Sequence, residues 1–104
     1  MKKIAFKMKL NSGCKNEYMR RHEEIWPELK KLLSDCGVRD YTIFLDEETN
    51  TLFAVQCQIG NSSSQDLSND PLVQKWWKYM ADIMETNPDS SPVSIPLEKV
   101  FHMD

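Results

Sequence analysis

The apolar residues of this chain change period from two to about 3.6 and back, twice over, and that change limits the folds open to it. Ile4, Phe6, Met8 and Leu10 alternate with Lys3, Ala5, Lys7 and Lys9, the pattern of a strand buried on one face. From Tyr18 through His22, Ile25, Leu29, Leu32, Leu33 and Cys36 the spacing is helical, with Arg20, Arg21, Glu24, Glu28 and Lys31 on the opposite, solvated side. Gly37 supplies a stop. Pro27 lacks the N–H that would bond the Glu23 carbonyl, and its ring crowds the preceding turn, so a kink or a break and restart is expected near Trp26. Residues 41–45 and 52–59 read as the two strands of an antiparallel hairpin around the polar turn from Asp46 to Asn50. Residues 60–64 read as a loop. A second helix opens at Pro71 and carries Leu72, Val73, Trp76, Trp77, Met80, Ile83 and Met84. Pro88, Pro92 and Pro96 exclude a regular helix beyond it, leaving an extended crossing and a final strand over residues 100–103.

The order strand, helix, strand, strand, helix, strand predicts an α+β fold of the ferredoxin-like βαββαβ type, with residues 1–104 as one domain and two helices on one sheet face. A chain of 104 residues has room for one core. The hairpin strands carry apolar residues on both faces, Tyr41, Ile43 and Leu45 against Phe44, so the sheet's second face needs a cover. A second copy, sheet against sheet, supplies one; the expected state is a homodimer of the α+β barrel type.

A formal charge of -3 removes the basic patch that nucleic-acid binding requires. Lys7 and Lys9 interrupt the first apolar run before it reaches signal-peptide length, and no later run is long enough to span a membrane. Cys14, Cys36 and Cys57 form an odd set with no close pair, which fits reduced thiols in the cytoplasm. His22 and His102 are far apart, no CxxC or HExxH occurs, and Asp82, Glu85 and Asp89 lack the EF-hand pattern, so no metal site is expected. Three glycines without phosphate-loop spacing give no sign of a nucleotide cofactor.

Tyr18 and His22 stand four residues apart, so a phenol and an imidazole share one helix face. An imidazole gives and takes protons near neutrality. Spacing alone favours His22 as a core histidine bonded to a backbone carbonyl, and Tyr18 as a core tyrosine with a wet tip. Tyr41 either points into a cavity or packs the sheet. Trp76 and Trp77 are about a quarter turn apart, so one of them should look away from the core, toward either the apolar face of a sugar ring or a dimer interface.

The segments RRHEEIWPEL, WWKYM, NPDSSPVS and the terminal KVFHMD together resemble the L-rhamnose mutarotase family over nearly the whole chain. The resemblance implies interconversion of the α and β anomers of L-rhamnose or a related small monosaccharide, with His22 as proton donor and Tyr18, Tyr41, Trp76 and Trp77 as sugar contacts. It also implies a homodimer of the α+β barrel type and no cofactor. Leu67, where relatives often carry a bulkier aromatic, bears on sugar preference rather than on the reaction.

In such a reaction His22 protonates the ring oxygen on opening and reclaims the proton on closure. The partner that receives the anomeric proton stays open among Glu24, a tyrosine, a backbone carbonyl and a bound water. The same barrel hosts small monooxygenases, and aromatic side chains also serve non-catalytic sugar-binding modules; fold alone does not separate these classes.

Overall fold

The computed structural model describes residues 1–60 and 63–104; Asn61 and Ser62, in the expected loop, lie outside the described residues. Strand β1 (Lys2–Lys9) leads into helices α1 (Lys15–Glu23) and α2 (Pro27–Asp35). The hairpin β2 (Val38–Asp46) and β3 (Thr51–Gln58) follows, then α3 (Pro71–Met80) and the short β4 (Ile95–Pro96). The sheet runs β2-β3-β1-β4 with antiparallel neighbours, the strand order of a ferredoxin-like fold.

The long early helix is broken rather than bent. Ile25 N–H bonds back to the His22 carbonyl, Trp26 takes an extended conformation with ψ 128°, and Pro27 opens α2 at its first position, where a missing N–H costs nothing. Gly37 then turns the chain with φ 94°. At the start of α3, Pro71 follows Asp70, whose carboxylate accepts from the N–H groups of Leu72 and Val73 at 2.8 and 3.4 Å. That helix is shorter than its apolar pattern suggests. It ends at Met80; the buried Ile83 sits in the turn that follows, and the buried Met84 bridges to Leu10 beyond β1.

Phe6 and Met8 of β1 pair with Ala54 and Leu52 of β3, and Ile43 and Leu45 of β2 continue that row. Leu29, Val73, Trp76, Trp77 and Met80 pack on this face to make the core. On the opposite face Phe44 pairs with Phe53, and both are exposed, as is Ile95 of β4.

Two expectations are corrected. The last strand lies at residues 95–96, where Ile95 and Pro96 pair with Lys7 and Phe6, and residues 97–104 form no strand. Pro96 lies within that strand, since an edge strand tolerates a residue without an N–H. Arg21, read as solvated, is 9% exposed: it lies between α1 and the end of α3, where Asp82, Glu17 and the Tyr79 carbonyl satisfy its guanidinium.

Candidate active site

Between the helices and the covered sheet face lies a cavity of about 740 Å³, bordered by Tyr18, His22, Tyr41, Trp76 and Trp77 together. Each arrives by a different local device. Tyr18 and His22 occupy successive turns of α1, and their rings stack at 4.3 Å between centroids. The edge of His22 meets Trp76 at 5.5 Å with the rings nearly perpendicular, and Trp26, in the break before α2, backs Trp76 at 5.0 Å. Trp76 and Trp77 are both buried and both border the cavity, which corrects the expectation that one must look elsewhere. The cavity is wide enough for residues a quarter turn apart to flank it.

Tyr41 reaches the same space from β2, beside a β-bulge. Val38 and Arg39 pair with Gln58 and Cys57, but Thr42 pairs with Val55, so one extra residue intervenes on β2. Asp40 absorbs it with φ 49°. Tyr41 shares the face of Ile43 and Leu45 beneath the helices by plain alternation; the extra residue brings Val38, of the opposite parity, onto that same covered face opposite Gln58. The segment NPDSSPVS contributes Ser90 and Pro92 to the rim, and the short turn Ser64–Asp66 contributes Ser64 and Gln65.

The hydrogen bonding of His22 sets its protonation. Its Nδ1 lies 3.0 Å from the Tyr18 carbonyl, which only accepts, so Nδ1 carries the hydrogen and Nε2 of the neutral ring holds the free lone pair. Burial pushes the imidazole below its ordinary pKa, partly offset by that same bond to Tyr18, so the neutral ring predominates at pH 7. Burial, and to a lesser degree nearby Tyr41, holds the Tyr18 phenol well above the usual range. Burial also raises the Tyr41 phenol, against a smaller opposing effect of the Ser64 hydroxyl. Both tyrosines are therefore neutral phenols. Glu24 pairs with Arg20 at 2.6 Å on the solvent side of α1 and does not border the cavity, whereas Glu23 does.

With these groups in one cavity, the comparisons decide the family. The model of the L-rhamnose mutarotase family matches residues 3–103. The chain belongs to the L-rhamnose mutarotase family. L-rhamnose mutarotases of Formosa agariphila and Phocaeicola vulgatus are 62% and 64% identical to it, each over 104 residues and the full length of both chains. A crystal structure of an L-rhamnose mutarotase from Formosa agariphila superposes with a TM-score of 0.92 at 60% identity, covering all of both chains.

Gln56, Ser64 and Arg21 are not singled out by the sequence reading above. Gln56 had a signal: it has the parity of Leu52 and Ala54, the buried face of β3, and a polar side chain there must find a partner. Arg21 had none, since its partner Asp82 is distant in sequence.

Proposed function

We propose that this chain interconverts the α and β anomers of free L-rhamnose, with His22 exchanging the proton and Tyr18, Tyr41, Trp76 and Trp77 holding the sugar. The supporting observation is the convergence of these five side chains on one cavity of about 740 Å³, within the range of roughly 300–1,000 Å³ usual for small-molecule sites. Mutarotation opens the pyranose at the bond between C1 and the ring oxygen, lets the aldehyde rotate, and closes it again. The anomeric hydroxyl loses a proton and the ring oxygen gains one, then the reverse. No electron is exchanged, so the reaction calls for no redox carrier.

The site's chemistry suits that cycle. An imidazole near neutrality serves either direction of proton transfer, and such transfer typically contributes about 10²–10⁴ in rate. The indoles offer flat apolar surface to the ring and its methyl group, and the phenols offer hydroxyls to the sugar's oxygens. The cytoplasm is the proposed location, and a homodimer the proposed working state. No helix among the described residues is long and apolar enough to cross a membrane.

Saturation-transfer NMR between the two anomers of L-rhamnose, with buffer as the blank, tests this reading. Purified protein at catalytic concentration is expected to accelerate exchange, and His22→Ala to lower the accelerated rate by about 10²-fold or more with the fold intact. Sugar binding without acceleration would instead identify a binding module. An unchanged rate in His22→Ala would remove His22 from the chemistry.

A further inference from the structure

The segment RRHEEIWPEL gives His22 to the site, yet Trp26 and Pro27 of the same segment do not border the cavity, although Ile25 and Leu29 on either side of them do. Trp26 nevertheless touches the site at one point. Its ring meets Trp76 at 5.0 Å between centroids and 85° between planes, and Trp76 in turn meets His22 at 5.5 Å and 88°. The Trp76 indole, which borders the cavity, therefore contacts two rings that both stand nearly perpendicular to it. Perpendicular and offset arrangements are those that aromatic quadrupoles favour.

Trp26 is anchored from several directions. The residue before a proline is held away from the helical region, and Trp26 has φ -60° and ψ 128° ahead of Pro27. Its carbonyl accepts from the N–H groups of Leu29 and Lys30, both at 3.0 Å. Its ring packs on Tyr79 at 5.7 Å, and Lys75 Nζ lies over it at 5.8 Å. Tyr79, itself under the Arg21 guanidinium at 4.6 Å, also packs on Trp76 at 5.7 Å. Helix α3 fixes the backbone of Trp76, but its two side-chain torsions are set by what surrounds the ring. The cavity leaves part of that ring without packing, so Trp26 and Tyr79, which do not border the cavity, fix its orientation.

We propose that Trp26 is a positioning residue: through Trp76 it fixes the indole wall against which the sugar ring lies, and so the approach of the reacting sugar oxygens to His22 Nε2. The proposal rests on the mutarotase reading above and concerns orientation, not a further proton-transfer group. Proton transfer to or from a bound sugar needs heavy atoms within roughly 2.6–3.2 Å of each other, and a displacement of about 1 Å can cost about 10²-fold in rate. An indole free to turn gives the same sugar several poses, of which only some bring a reacting oxygen within reach of the imidazole. The break at Pro27 serves this placement, since it holds Trp26 extended between α1 and α2 rather than within either helix.

Anomer exchange, followed by saturation-transfer NMR over a range of L-rhamnose concentrations, tests it. Trp26→Leu removes the ring and should lower the rate at saturating sugar by about tenfold, with KM changed less than about threefold. Trp26→Phe, which restores a ring able to stand perpendicular to Trp76, should recover the rate to within about threefold of native. In a Trp76→Phe background, Trp26→Leu should change the rate by less than about twofold, because the indole it positions is gone. Circular dichroism confirms that each variant is measured below its own unfolding. A native rate in folded Trp26→Leu, even with a lowered melting temperature, makes Trp26 a packing residue alone and overturns the proposal. Equal losses in the two backgrounds do the same. Should Trp26→Leu not fold, Trp26→Met fills more of the same space without a ring and is held to the same expectations. A native protein that accelerates no exchange overturns the mutarotase reading and this proposal with it, a result distinct from an active protein indifferent to Trp26.

Discussion

In the proposed reaction His22 works at pH 7 through the nitrogen that its own helix leaves free. The Tyr18 carbonyl holds the hydrogen at Nδ1, and burial keeps the ring neutral. Such an imidazole binds fewer protons folded than unfolded below its ordinary pKa of 6.5, so folding stability rises with pH through that window and levels off above it. Activity should follow the same group. If neutral Nε2 is the working acceptor, exchange is flat from about pH 8 down to about 6.5 and falls as the pH drops through the depressed pKa of His22. A rate that rises on acidification would instead make the imidazolium the working form. Glu23, Lys30, Arg39 and Asp40 also border the cavity, and Glu23→Gln is the control that separates a carboxylate of the same helix from the imidazole. The i, i+4 spacing of Tyr18 and His22 made this pair legible in the sequence. The bond that fixes the tautomer was not, because it goes to a backbone carbonyl, which carries no sequence signature.

At the scale of elements, the site depends on α1 and α3 keeping their relative position, since α1 brings Tyr18 and His22 and α3 brings Trp76 and Trp77. Arg21 braces them. Its guanidinium donates to Glu17 at 2.6 Å, to the Tyr79 carbonyl at 2.6 Å and to both oxygens of Asp82 at 2.8 and 3.2 Å, and it lies over the Tyr79 ring at 4.6 Å. Arg21→Met keeps the buried stem and removes the fork. The expected cost is about 1–3 kcal/mol, because the Tyr79 carbonyl loses a charged donor while the more exposed Asp82 recovers water. In a chain of this size that lowers the melting temperature by very roughly 5–20 °C, read by circular dichroism; a shift under about 2 °C would show the brace to be idle. Glu17 shares the network. Hydrogen bonds from Arg20 and Arg21 pull its carboxyl down to about 2 from 4.5, so its contribution is complete above 4.5 and is lost as the pH falls toward 2. The hairpin, the break at Pro27 and the capped start of α3 were all legible, because Pro, Gly and alternation act locally. The bulge that brings Val38 onto the covered face was not: Asp40 carries its positive φ without a glycine to announce it.

For the whole molecule, the open question is what covers the second sheet face. Phe44 is 61% and Phe53 37% exposed, side by side on β2 and β3, with Ile95 exposed on β4 of the same face. Alternation in the sequence already required both faces of the hairpin to be covered, whereas the terminal segment misled, since Val100 and Phe101 look like a strand yet stand exposed beyond β4. The proposed cover is a second copy. In a two-fold interface every residue counts twice, once on each protomer. Burying one phenylalanine contributes roughly 1.5–3 kcal/mol, so Phe44→Lys removes about 3–6 kcal/mol from the pair before the cost of the new charge is added. That weakens self-association by at least about 10²-fold. Sedimentation equilibrium at micromolar concentration should give the mass of two chains for the native protein and of one for Phe44→Lys. The variant should keep its secondary structure, because Phe44 points away from the core beneath the helices. A native protein that sediments as a single chain would leave this face uncovered by its own kind, and the dimer would fall.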